Sequence, residues 1–218
     1  MRFTICILAL LVGVMLTTSA LSKSNRTKGS NRPKPPAETS DPDTKLCRDA
    51  SKTMVMSFAR TLKTQLSAAM KKGTVNAINV CGSKAPEITA SQSTGGWIIK
   101  RVSDRNRNED NAPDSLEKAM LAEFSATKKN RPIFKDFWTE KDGVKMYHFY
   151  EPIVTQDFCL RCHGDKNKMD STVVAAISTQ YPHDLATGYS AGDVRGMFVV
   201  ETTWPEGRAQ ALALTGGR

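Results

Sequence analysis

The chain contains 218 residues, with 31 lysines and arginines against 22 aspartates and glutamates, which gives a net charge of +9. Apolar residues make up 39% of the sequence, as in ordinary globular domains, which argues against a mainly disordered chain and against a multi-pass membrane protein. Five cysteines are too few for a disulfide scaffold, so each of them needs its own explanation.

The first twenty residues have the pattern of a secretory signal peptide. Arg2 is followed by an almost wholly apolar run from Phe3 to Leu16, and then by small residues that end at Ala20. We expect cleavage after Ala20, with an uncleaved membrane anchor as the alternative. No later segment is apolar enough to span a bilayer, so we expect no transmembrane span in the mature chain. Export then predicts a periplasmic protein.

Residues 21–45 predict a linker, because they are rich in Ser, Pro and charged residues and offer almost nothing to bury. Six basic and three acidic residues give it a positive charge. Such a tail can contact an anionic membrane or an acidic partner, but a solvated spacer is the simpler interpretation. Nucleic acid is not an expected partner, because the chain is exported and carries no recognition motif. The folded domain is predicted to span 46–218.

The folded part begins with two predicted helices. Apolar residues that recur every four positions predict an amphipathic helix from about Leu46 to Lys72, ended by Gly73. A short helix from Thr74 to Val80 follows and leaves Cys81 at its C-terminal end. The later elements are, in chain order, a strand at 97–102, a helix at 113–126, a hairpin of strands at 134–139 and 144–154, a helix at 171–178 and a strand at 194–203.

The segment Cys159-Leu160-Arg161-Cys162-His163 is the attachment motif for haem c. Two thiols three positions apart can form thioethers with the two vinyl groups of one haem, and the adjacent histidine can bind the iron as an axial ligand. A zinc site would need further ligands, and a thioredoxin-like dithiol would need a helix that starts at the motif. One such motif predicts one covalent haem.

The residues alone do not identify the second axial ligand, which can be a methionine, a histidine or a cysteine, or can be missing altogether. Cys81 follows an apolar helical segment, and it is a ligand, an inert core thiol or a disulfide partner of Cys47. His183 lies in a turn pattern and is expected to be solvated. If Cys81 is not the ligand, the next candidates are His148, Met146 and Met169.

Several blocks resemble a family of PAS-like periplasmic haem c domains. These domains occur alone in cyanobacteria and proteobacteria, and as input modules of chemoreceptors and sensor kinases. The resemblance covers about 50–204. The matching blocks are LKTQLSAAMKKG (62–73), AINVCGSKAPEI (77–88), RVSDRNRNEDNAPDSLE (101–117), FCLRCHGD (158–165) and YPHDLATGYSAGDVRG (181–196).

The resemblance implies an α+β, PAS-like fold, with an antiparallel sheet flanked by helices and with the long N-terminal helix. It also implies that His163 and Cys81 are the axial ligands of the iron. Arg101, Arg105 and Arg107 form a basic cluster that either pairs with the haem propionates or is a solvated loop. If Cys81 binds iron, Cys47 is left as a free thiol that should react with alkylating reagents or form a disulfide-linked dimer on oxidation.

A histidine and a thiolate as ligands favour a redox-responsive or ligand-responsive sensor. The thiolate stabilises ferric iron and can leave on reduction, which opens a site for a small gas. The alternative is a small periplasmic electron carrier. An enzyme is not expected, because no distal His and Arg pair is evident. The expected partner is a redox protein or a separate signalling protein.

Overall fold

The computed structural model describes residues 41–126 and 128–216, and the predicted signal peptide and most of the predicted linker lie outside these ranges. The helices are α1 (Pro42–Met70), α2 (Thr74–Asn79), α3 (Ala85–Gln92), α4 (Ser115–Ala126), α5 (Leu160–His163), α6 (Ser171–Gln180) and α7 (Arg208–Thr215). A π-helical turn, Val80–Lys84, joins α2 to α3. The strands are β1 (Trp97–Val102), β2 (Lys135–Lys141), β3 (Val144–Val154) and β4 (Val194–Trp204).

The four strands form one antiparallel sheet in the order β1-β4-β3-β2. The predicted hairpin between β2 and β3 turns at Asp142 and Gly143, whose φ angles are 54° and 76°. Positive φ at both central residues matches the right-handed twist of the flanking strands, and Asp-Gly suits it. The prediction of an α+β fold with an antiparallel sheet, flanking helices and a long N-terminal helix is therefore confirmed.

Alternating side chains of the strands give the sheet two apolar faces. The first half of α1 packs on one face, where the ring of Phe58 meets that of Phe198 edge-on at 5.5 Å. Helix α4 covers the other face through Leu121 and Phe124. Burying a side chain as large as phenylalanine stabilises a fold by about 1.5–3 kcal/mol. Only the first half of α1 is buried against the sheet. The second half extends beyond the sheet contacts and lines a cavity.

Helix α1 begins earlier than the sequence prediction, at Pro42 and not at Leu46. Asp41 caps the helix by accepting hydrogen bonds from the backbone amides of Asp43 and Thr44, and proline is well suited to the first helical position. The last residues assigned to the linker therefore belong to the helix. No helix within 41–126 and 128–216 is both long and apolar enough to cross a membrane.

Cys47 lies in the core and not at an accessible position. It is fully buried between α1 and the sheet. Burial, reinforced by the nearby carboxylates of Asp43 and Asp41, raises the pKa of the Cys47 thiol to about 12. The expectation that this thiol reacts freely with alkylating reagents is therefore wrong, because helix α1 turns Cys47 toward the sheet.

Candidate functional site

The described residues line a cavity that opens to solvent and contains about 1050 Å³ of empty space when its open mouth is included. One wall is apolar and comes from the second half of α1 and from α2: Leu62, Leu66, Met70, Ala77 and Ile78. The cavity contains all the site residues predicted from the sequence: Cys81, Arg101, Arg105, Arg107, Cys159, Cys162 and His163.

Leu160–His163 form a single helical turn, α5, with Cys159 at its N-terminal cap and Gly164 at its C-terminal cap. The turn places both thiols and the imidazole of His163 at the cavity. A Cβ atom at Gly164 would lie 2.6 Å from the carbonyl oxygen of Leu160, so a side chain there would force this turn to shift. No longer helix starts at the motif, which removes the structural setting of a thioredoxin-like dithiol.

A loop after α6 fixes the orientation of His163. The Nδ1 atom of its imidazole lies 2.7 Å from the carbonyl oxygen of Ala186. A carbonyl only accepts, so Nδ1 carries the proton and donates, and Nε2 keeps its lone pair for a metal. The backbone amide of Tyr189 donates to the carbonyl of His163 at 2.9 Å. Burial and the neighbouring charges of Arg195 and Arg107 lower the pKa of His163 well below its ordinary value.

Arg107 ties this loop to the haem-attachment motif. Its Nε atom donates to Oδ1 of Asp184 at 3.0 Å, and its Nη2 atom donates to the carbonyl oxygen of Cys162 at 2.6 Å. Both charged side chains are almost fully buried, with 9% and 3% exposed. Arg105 makes similar contacts with the carbonyls of Leu185 and Thr187 and lies over the ring of Tyr189. Arg105 and Arg107 line the cavity, but their guanidinium groups already form hydrogen bonds with the loop after α6.

Cys81 reaches the cavity from the π-helical turn between α2 and α3. Pro86 explains this turn. A proline has no amide hydrogen to donate, and its ring clashes with the carbonyl four residues earlier, here that of Gly82. A wider turn relieves the clash, and such turns are common at functional sites. Cys81 is half-buried, and Cys47 and Cys81 are free thiols, so no disulfide joins them.

Arg101 and Arg195 differ from Arg107 because neither forms an ion pair with a carboxylate of the described residues. Arg105 forms none either, but it donates to the carbonyls of Leu185 and Thr187. The guanidinium of Arg101 lies 5.5 Å from the ring of Phe58, and burial lowers its pKa to about 10. The Nε atom of Arg195 is buried and has no hydrogen-bond partner within the described ranges. Arg101 and Arg195 therefore line the cavity without an anionic partner among the described residues.

Other residues considered from the sequence lie elsewhere. His148 is buried in the sheet, where its ring nitrogens lie 2.8 Å from Glu201 and from Thr139. His183 is exposed, and neither Met146 nor Met169 lines the cavity.

Met70 and Arg195 are among the cavity residues that the sequence does not mark as site residues. Met70 continues the apolar face of α1, and Arg195 sits inside a block that resembles the family, but neither position carries a signal of its own. Across the described part of the chain, no three His, Cys, Asp or Glu side chains are grouped to hold a metal ion. A zinc site therefore has no ligand set there.

Comparison with known proteins gives a family assignment. The family model described as Tll0287-like matches residues 23–203. Among solved structures, the cyanobacterial heme protein Tll0287 is similar to this chain, with 29% sequence identity and a TM-score of 0.46, over 67% of this chain and 90% of that one. No curated protein shows a significant match. Since the family model spans most of the sequence, the chain belongs to the Tll0287-like family.

Proposed function

We propose that the protein is an exported c-type cytochrome with one covalent haem, which responds to redox state or to a small ligand. One observation carries the proposal. A single cavity joins the attachment motif at Cys159–His163 to a second sulfur, that of Cys81, and to Arg101 and Arg195, which have no carboxylate partner among the described residues.

The residues fit a haem in three respects. Cys159 and Cys162 supply the two thiols for thioether bonds, and the free Nε2 atom of His163 is available to the iron. Arg101 and Arg195 can pair with the two propionates, because carboxylates satisfy buried guanidinium groups well. A bound haem supplies one-electron redox chemistry and a site for small ligands.

Cys81 favours the sensor over a simple electron carrier. An anionic sulfur ligand stabilises ferric iron, and it binds ferrous iron weakly once it is protonated. Cys81 can therefore bind in one redox state and leave in the other. A carrier would keep both ligands through its cycle, and it is the alternative function for this site.

The remaining parts of the proposal rest on the sequence. The signal peptide at 1–20 supports a periplasmic location, where c-type haem attachment takes place. We propose no enzymatic activity, because the cavity lining has one histidine, His163, and its role is already assigned. The partner would be a redox protein or a separate signalling protein, and the external ligand a small gas.

Haem loading tests the proposal. After coexpression with a cytochrome c maturation system, mass spectrometry should find the mature chain plus one haem, and the pyridine haemochrome spectrum should report thioether linkage. The double variant Cys159→Ser/Cys162→Ser should lose this haem, whereas the control Cys47→Ala should keep it. Haem that is removed by acid and butanone, or its absence from the wild-type protein, would contradict the proposal.

Carbon monoxide separates the two functions. A redox titration with spectra in both states should show that the ferrous protein binds CO, because a protonated thiol is a poor ligand for ferrous iron. A protein whose ferrous form resists CO would be a carrier with two fixed ligands.

A further inference from the structure

The second half of α1 and the helix that follows it form a strongly basic part of the chain. From Ala50 to Ser83 the sequence contains five lysines and arginines and no aspartate or glutamate. Four of these cations are exposed, and none of the four forms an ion pair with another described residue. They are Arg60, Lys63, Lys71 and Lys72, and we call them the basic stripe.

The basic stripe lies on the outside of the helix that forms the apolar wall of the cavity. Arg60 and Lys63 are three positions apart and share one side of α1, and Lys71 follows Arg60 after about three full turns. From the same turns, Leu62 and Leu66 line the cavity. A helix with its side chains is about 10–12 Å across. A molecule that docks on the basic stripe is therefore separated from the cavity by about one helix.

The segment around the haem-attachment motif has no such excess of one charge. Residues 157–170 carry six exposed charged side chains, of which three are acidic and three are basic: Asp157, Asp165, Asp170, Arg161, Lys166 and Lys168. Long-range attraction follows the local excess of one sign. An oppositely charged partner is therefore steered toward the basic stripe and not toward the attachment motif.

The basic stripe lacks the apolar residues with which a helix enters a lipid surface. Helices of that kind carry Trp, Phe or Leu on the side opposite their lysines and arginines, and that side faces the lipid. In the second half of α1, the leucines line the cavity instead. The large exposed apolar side chain of this helix is Met56, one turn before Arg60, and methionine is enriched in protein interfaces. This composition fits a small, transient contact with another protein.

We propose that the basic stripe docks an acidic electron-transfer protein that exchanges one electron with the haem. The inference rests on the proposed haem site and names the class of its partner. With a flavoprotein as donor, the anionic flavin hydroquinone loses one electron and becomes the neutral semiquinone, and ferric iron takes up that electron. Carboxylates of the donor pair with the basic stripe, and charge pairs of this kind mainly raise the rate of encounter.

Flavodoxin, an acidic one-electron donor, is the probe for this contact. Stopped-flow reduction of the ferric holoprotein should become slower as salt is added, because the Debye length is about 10 Å at 0.1 M ionic strength and shorter above it. The double variant Arg60→Glu/Lys63→Glu should lower the rate constant at low salt about tenfold or more, since it reverses the local charge. It should keep the haem content and the ferric spectrum of the wild type.

The matched control is Lys141→Glu/Lys145→Glu, which changes the net charge by the same amount at the hairpin between β2 and β3. Both lysines are exposed, and Lys145 lies about 26 Å along β3 from Ile153, which lines the cavity. The rate constant of this control should stay within about twofold of the wild-type value, because the charges that steer the donor are unchanged.

Cross-linking locates the contact without relying on electron transfer. A carbodiimide joins carboxylates to lysines that they touch, and peptide mass spectrometry of the holoprotein should find flavodoxin attached to Lys63, Lys71 or Lys72. The proposal is wrong if the cross-links avoid the basic stripe, or if the two double variants slow reduction equally. It is also wrong if Arg60→Glu/Lys63→Glu loses binding to phosphatidylglycerol vesicles while its rate with flavodoxin is unchanged, which would assign the basic stripe to a membrane surface. Missing covalent haem in the wild type would instead refute the proposed function, and the cross-links would still test the basic stripe.

Discussion

At the scale of single residues, the two thiols of the N-terminal helices have opposite environments. Cys47 faces the sheet from the first turns of α1 and is fully buried, whereas Cys81 lines the cavity from the π-helical turn. The same chemical group is thus a small apolar core side chain at one position and a candidate ligand at the other. The sequence alone does not separate them, because each lies at one end of a predicted helix, Cys47 at the start of the first and Cys81 just after the second.

Cys47 should be protected from alkylation in the folded protein. Its thiol has no solvent contact, and its raised pKa of about 12 keeps it protonated at neutral pH, whereas the thiolate is the reactive form. Iodoacetamide followed by peptide mass spectrometry should show no modification of native Cys47 and full modification in denaturant. Stoichiometric labelling of the native protein would mean that α1 does not pack on the sheet as described.

At the scale of elements, the haem-attachment turn depends on a loop that is distant in sequence. Arg107 connects the two through Asp184 and the carbonyl of Cys162, and the same loop supplies the carbonyl of Ala186 to His163. The orientation of the imidazole is therefore set by residues outside the motif. Such outer contacts fix the tautomer and the ring of a metal-binding histidine.

Removing Arg107 should be strongly destabilising. The change Arg107→Met leaves the buried carboxylate of Asp184 without its cation, and breaking a buried ion pair in this way costs about 3–5 kcal/mol. Urea unfolding of holoprotein samples with equal haem content measures the loss. The control Lys84→Met removes the exposed ion pair with Glu87 and should cost about 0–1 kcal/mol. Equal losses in the two variants would contradict the structural role of Arg107.

At the scale of the whole molecule, α1 serves both the core and the cavity. Its buried residues end at Phe58, and beyond that point Leu62, Leu66 and Met70 line the cavity. In the part of the chain that the structure describes, the cavity lining contains no aspartate or glutamate but has five arginines: Arg101, Arg105, Arg107, Arg161 and Arg195. An electropositive, partly apolar cavity of this kind suits a flat apolar cofactor that carries two carboxylates.

The larger elements could be predicted because their periodicity is strong. Helix α1 and the four strands follow the patterns in the sequence within a few residues. The start of α1 at Pro42 was missed, although an Asp-Pro pair is a recognisable start signal. The short helices α3, α5 and α7 contain too few apolar residues at helical spacing to be predicted from the sequence. The π-helical turn cannot be predicted from Pro86 alone, because it also depends on the packing around it.

The residues alone identify the site most firmly where they are adjacent in sequence, whereas Cys81 is one of several candidates that only the resemblance to a family favours. The thiols of Cys159 and Cys162 and the imidazole of His163 form a local motif with an evident chemical purpose. Met70 and Arg195 join the cavity because distant segments converge there, and nothing local marks either residue. The distinction between Arg101 and Arg107 likewise depends on Asp184, which lies far along the chain.

The central claim is that His163 and Cys81 bind one haem iron in the oxidised protein, and electron paramagnetic resonance of the ferric state tests it most directly. The wild-type protein and the Cys47→Ala control should give a low-spin spectrum of the thiolate type. Cys81→Ser should lose that signature, and its reduction potential should rise because the anionic donor that stabilises ferric iron is gone. A ferric spectrum that is identical in wild type and Cys81→Ser would contradict the account and assign the second ligand to another residue.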